Sequence, residues 1–103
     1  MYKLGFYVPE DALETVKAAL FNAGAGRIGD YEHCCWQTLG TGQFRPLAGA
    51  QPHLGELGKL EKVDEWRVEL VCADSEVKAV MAALKQTHPY EEPAYDLCRL
   101  EQL

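Results

Sequence analysis

The chain has 103 residues, a formal net charge of −6 and a pI near 4.9, with 48% hydrophobic and 25% charged residues. That length suits one domain, residues 1–103, with a single modest core and no room for a separate cofactor domain. Ten scattered Lys and Arg argue against a nucleic-acid groove, and no apolar run approaches the roughly 18 residues needed to span a membrane. No membrane partner is expected, and a cytoplasmic location is the default in the absence of a signal-peptide core.

Residues 2–9, "YKLGFYVP", alternate, with Tyr2, Leu4, Phe6 and Val8 on one side and Lys3, Gly5 and Tyr7 on the other. This predicts a half-buried strand closed by Pro9. In "EDALETVKAALFNAGAG", Leu13, Val16, Leu20 and Ala23 recur at helical spacing. Acidic residues in the first turn complement the helix dipole, and Gly24 suits the C-cap. "YEHCCWQTL", residues 31–39, predicts a second strand, broken by Gly40-Thr41-Gly42 and resumed in "QFRPL".

Residues 48–58 read as a loop from their Gly and Pro content. "EKVDEWRVELVCA" predicts a third strand, with Trp66, Val68, Leu70 and Cys72 facing one way. Asp74 or Ser75 is expected to cap a second helix, whose Val77, Val80, Met81 and Leu84 form an i, i+3, i+4, i+7 stripe. Pro89 ends it, because His88 before a proline is pushed out of helical geometry. "AYDLCRL" supplies the closing strand, with Tyr95, Leu97 and Cys98 available to the sheet. The order βαββαβ is the α+β, ferredoxin-like plan: a four-stranded antiparallel sheet with two helices on one face. Tyr7, Arg67 and Val71 fall on the uncovered face, where apolar and aromatic groups favour self-association.

Few residues point to chemistry. "GTGQF" lacks the following helix whose amides would bind a phosphate, so a hairpin or bulge is expected there. His33, His53 and His88 share no helical i, i+4 spacing, so a metal site would need tertiary or intersubunit assembly. Cys34, Cys35, Cys72 and Cys98 fit no zinc spacing and are expected to be reduced, mostly buried thiols. In a strand, Cys34 and Cys35 would point to opposite faces. A nucleophilic cysteine would need His33 or His88 beside it.

The densest segment is "THPYEEPAYDL", residues 87–97. Pro89 and Pro93 stiffen it, Tyr90 and Tyr95 supply rings to pack, and His88, Glu91 and Glu92 present polar atoms. Two readings stay open. One is a rigid corner at an interface or cleft; the other is a ligand, metal or catalytic site built on His88, Glu91 and Glu92.

"GAGRIGDYEHCCWQTLGTGQFRPLAGAQPHLG", "KVDEWRVE" and "HPYEEPAYDL" together resemble the inserted middle domain of the Nif-three-like (YqfO-type) proteins. Gly40, Gly42, Phe44, Pro46, His88, Pro89, Tyr90, Glu91, Glu92 and Tyr95 fall on motif positions. The resemblance implies a CutA- and PII-like fold. It also implies a homo-oligomer, trimer ahead of dimer, and a small ligand or weakly bound divalent metal at subunit interfaces. It places the family's two-metal site in flanking domains outside these 103 residues, so the cyclohydrolase label is not carried over as an activity. His53 and Cys35 depart from the family pattern, and two readings stay open: added metal affinity or neutral drift. The combined expectation is a non-enzymatic binding or regulatory module. A small metal-dependent enzyme and a purely structural interaction domain are the alternatives.

Overall fold

The alternation in residues 2–9 produces a strand whose even positions feed the core. In the computed structural model, which describes residues 1–103, β1 is Tyr2–Pro9, and Leu4, Phe6 and Val8 are fully buried. It is followed by a 3-10 turn at Glu10–Ala12 and by α1, Leu13–Asn22, which buries Leu13, Val16 and Leu20. Then come β2 at Trp36–Phe44, β3 at Glu61–Cys72, α2 at Val77–Thr87 and β4 at Tyr95–Arg99. The strands form one antiparallel sheet in the order β2-β3-β1-β4. Leu4, Phe6, Val8, Val68, Leu70 and Cys72 of the sheet meet Leu13, Val16, Leu20, Val80 and Leu84 of the helices in one cluster. Both helices therefore cover the same face, as the periodicities predict.

Two strand boundaries differ from expectation. β2 begins at Trp36, not at residue 31, because residues 26–35 are tied down by other contacts. The Gly26 N–H donates to the Val71 carbonyl, the Cys34 N–H donates to the Gly26 carbonyl, and Ile28 and Tyr31 exchange backbone hydrogen bonds. His33 takes a positive φ of 58° and stacks on Phe21 at 4.8 Å, so it lies in a loop, outside any strand.

Gly40 and Gly42 do not break the strand. Both sit in regular register, Gly40 opposite Glu65 and Gly42 opposite Val63. The Glu65 side chain lies across Gly42, in the space a Cβ would occupy. Glycine here admits a neighbouring side chain and makes no bulge.

The second helix also starts differently. Neither Asp74 nor Ser75 caps it; Asp74–Glu76 form a 3-10 turn without a side-chain cap, and Asp74 pairs with Arg99 at 3.2 Å. It ends at His88, which adopts an extended conformation (ψ 133°) ahead of Pro89. Of the four thiols only Cys72 is buried, while Cys35 and Cys98 are exposed. The expectation of mostly buried cysteines fails because residues 34–35 precede the strand and β4 is an exposed edge.

Candidate functional site

The corner at residues 88–94 is held from beneath by His88. The imidazole is buried, with only 6% of its surface exposed. Its Nε2 lies 2.6 Å from the Tyr7 carbonyl, and the Tyr90 N–H donates to Nδ1 at 3.1 Å. These partners define one neutral tautomer, with the proton on Nε2. Burial pushes the His88 pKa down, outweighing the pull of the Tyr7 carbonyl.

This arrangement corrects a sequence expectation. His88 does not present a free nitrogen to a neighbouring chain or a metal. Both its ring nitrogens are spent inside the fold.

Tyr90 stands over this histidine with ring centroids 4.9 Å apart, and its ring also approaches His53 at 6.1 Å and Phe44 at 6.5 Å. Its hydroxyl is buried beside the Glu65 carboxylate, which lies close enough to act on it without completing a well-formed hydrogen bond. Burial, reinforced by the Glu65 carboxylate, holds the phenol protonated far above its usual range. A buried donor without a complete hydrogen bond is uncommon.

Around this ring, three stretches distant in sequence enclose a cleft of about 450 Å³. The end of β2 and the chain after it give Phe44, Arg45, Pro46 and Leu47; the loop gives Ala50, Pro52, His53 and Leu54; the corner gives Tyr90, Glu91, Glu92 and Ala94. Tyr7 and Glu65 close it from the sheet. The Gln51 N–H donates to the Glu91 carboxylate at 3.2 Å, fastening loop to corner. His53 Nε2 lies 3.9 Å from the Asp11 carboxylate on the first turn after β1.

The structure thus brings together Phe44, Pro46, His53, Tyr90, Glu91 and Glu92. It leaves out Gly40, Gly42, His88, Pro89, Tyr95 and His33. Tyr95 sits on β4 opposite Phe6, with the Lys85 ammonium 5.9 Å above its ring. His33 lies at the opposite end of β2. Glu65 carries no local signal, because an acidic residue in an alternating strand reads as a solvated face. Only the register opposite Gly40 reveals that it lies over Gly42 and beside Tyr90.

No three His, Cys, Asp or Glu side chains converge to hold a metal ion within the chain. The cleft therefore offers apolar and aromatic walls and a rim of carboxylates, with the Tyr90 hydroxyl buried behind the wall.

No family model matches the chain. It is 53% identical over 100 residues to the "GTP cyclohydrolase 1 type 2 homolog" of Bacillus subtilis, covering 97% of this chain and 27% of that protein. The crystal structure of a Bacillus cereus protein related to NIF3 superposes with a TM-score of 0.83 at 40% identity, over 98% of this chain and 26% of that one. CutA1 from Pyrococcus horikoshii superposes with a TM-score of 0.70 at 16% identity, covering 100% of this chain and 86% of that one, which establishes the shared fold alone. The chain spans about a quarter of the length of the curated relatives it matches. It corresponds to one domain of the larger Nif-three-like proteins and has a CutA-like, ferredoxin-like fold.

Proposed function

We propose that this chain is a non-enzymatic, self-associating binding module that takes a small ligand in the cleft beneath Tyr90. The observation that carries the reading is the composition of that cleft. It has mostly apolar and aromatic walls and a few convergent polar groups, which is the usual make-up of a small-molecule site. The alternative, a metal-dependent enzyme using His88, Glu91 and Glu92, is weakened because His88 has no free ring nitrogen.

Self-association is supported by the free side of β2. This strand has 9 residues, pairs only with β3 and carries Leu39 with 53% of its surface exposed. A long unpaired edge with an apolar side chain is a template for another copy, and a closed ring of copies, a trimer first, would remove it.

Light scattering and thermal melts test both parts. A clean monomer of about 11.5 kDa at high micromolar concentration would remove the assembly. Melts with nucleotides, amino acids and divalent cations probe the cleft, since a ligand at 100 times its Kd stabilises the folded state by about 2.7 kcal/mol. Assembly without any ligand stabilisation would favour a purely structural domain, and turnover of a phosphoester or nucleotide would favour the enzyme.

A further inference from the structure

At the opposite end of β2 from the Tyr90 cleft, Cys34 and Cys35 both line a second, open cleft with Lys3, Ile28, Trp36 and Glu69. Adjacent residues in a strand would send their side chains to opposite faces. Here residues 34–35 precede the strand, and both residues line the same hollow.

The segment that carries them is fixed. The Cys34 N–H donates to the Gly26 carbonyl at 2.8 Å, Gly26 donates to Val71 at 2.7 Å, and His33 is stacked on Phe21. Gly26 has no room for a side chain, because a Cβ there would lie 2.8 Å from the Cys34 carbonyl oxygen. The thiols are free, Cys35 is exposed, and Cys34 is half-buried with only a long contact of 3.8 Å to the Glu32 carbonyl. Cys72 lies in the core and Cys98 on the edge strand β4, and neither lines this cleft.

We infer that Cys34 and Cys35 form a vicinal dithiol site for a thiophilic metalloid or soft metal ion that accepts two thiolates. Sulfur ligands select soft acceptors, and a pair on a pre-set segment captures them by chelation. With a monosubstituted trivalent arsenical, two As–S bonds form and the As–O bonds break. The two thiol protons leave with the oxygen as water, and no atom changes oxidation state. The Lys3 ammonium and the Glu69 carboxylate, paired at 2.7 Å, form the polar wall of the cleft. Trp36 beside the thiols gives an optical report.

The probe is phenylarsine oxide at one equivalent, read by native intact-mass spectrometry and by Trp fluorescence on the full chain. Wild type is expected to take up one phenylarsenic with loss of two thiol protons, to show altered fluorescence, and to release the probe to a dithiol but not to an equal amount of a monothiol. Cys35→Ser and Cys34→Ser should each weaken uptake by about 100-fold or more, because the second bond is no longer intramolecular. Cys72→Ser and Cys98→Ser should retain it. Cys35 is exposed, so Cys35→Ser is expected to melt as wild type does and to isolate the effect from folding. Retention of the adduct in Cys35→Ser, its loss in Cys98→Ser, or equal release by a monothiol would overturn the inference.

Discussion

Arg67 on β3 reaches across Gly5 on β1 to Asp96 on β4, 3.1 Å away, bridging three strands on the open face of the sheet. A Cβ at position 5 would collide with the guanidinium, so a glycine in the central strand is what lets the side chain lie flat. The same guanidinium sits 5.1 Å above the Tyr7 ring and 3.6 Å from Glu69, which in turn pairs with Lys3 at 2.7 Å. The open face is therefore laced with charge at its centre.

The first prediction follows from that geometry. Gly5→Ala displaces Arg67 and so removes its pairing with Asp96. Partly exposed ion pairs contribute up to about 1 kcal/mol. Once the pair is lost, Asp96→Asn should cost little more, so the two substitutions should couple by about 0.5 kcal/mol in a double-mutant cycle measured by urea denaturation. Additive effects would show that Arg67 finds another position of equal energy.

The second prediction concerns His88. His88→Ala leaves the Tyr7 carbonyl and the Tyr90 N–H without their partner, which should cost about 1–3 kcal/mol. The pH dependence has a definite sign. The folded-state pKa is depressed by burial, so the neutral imidazole's contribution is present above the unfolded value of about 6.5 and is lost as pH falls through the folded pKa. The midpoint of urea unfolding should drop in that acid window for wild type, and the drop should shrink in His88→Ala. An unchanged profile would show that His88 charges freely in the folded state.

That histidine also marks where the sequence stops being informative. The alternation of β1 and the stripe of α2 are local patterns, and burial follows them residue for residue at Leu4, Phe6, Val8, Val80 and Leu84. The extended conformation of His88 is legible from Pro89 alone. Its partner Tyr7 is 81 residues away, so neither its burial nor its tautomer has a local signal. Gly40 and Gly42 mislead for the same reason. Glycine reads as a break, while the side chain that occupies the space over Gly42 comes from Glu65 on another strand. The motif spanning residues 88–92 does mark the corner, but it does not say which of its residues face the cleft.

The third prediction addresses assembly. Leu39→Lys puts a charge on the edge strand β2, on the face it shares with Trp66, a device that blocks edge pairing. If Leu39 is covered by a neighbouring copy, its exposed half adds about 0.8–1.6 kcal/mol of apolar burial per subunit, which the variant loses. Light scattering should then show the variant dissociating at concentrations where wild type remains assembled. A variant of unchanged mass would place the interface elsewhere on the sheet.

The last prediction separates the two roles of Tyr90, packing and donation. Tyr90→Ala removes a ring that touches His53, Phe44 and His88, and should cost about 3 kcal/mol, the lower end for an aromatic truncation, because the ring is only partly buried. Tyr90→Phe keeps the ring and removes a buried hydroxyl that completes no well-formed hydrogen bond, so the free protein should be unchanged or more stable by up to about 1 kcal/mol. A ligand that accepts the phenol's hydrogen bond would reverse that order. The stabilisation it gives wild type in a thermal melt should then fall in Tyr90→Phe, although the variant is at least as stable when unliganded. If Tyr90→Phe is destabilised without ligand, the hydroxyl already has an acceptor inside the fold, with Glu65 the nearest candidate, and the phenol is structural.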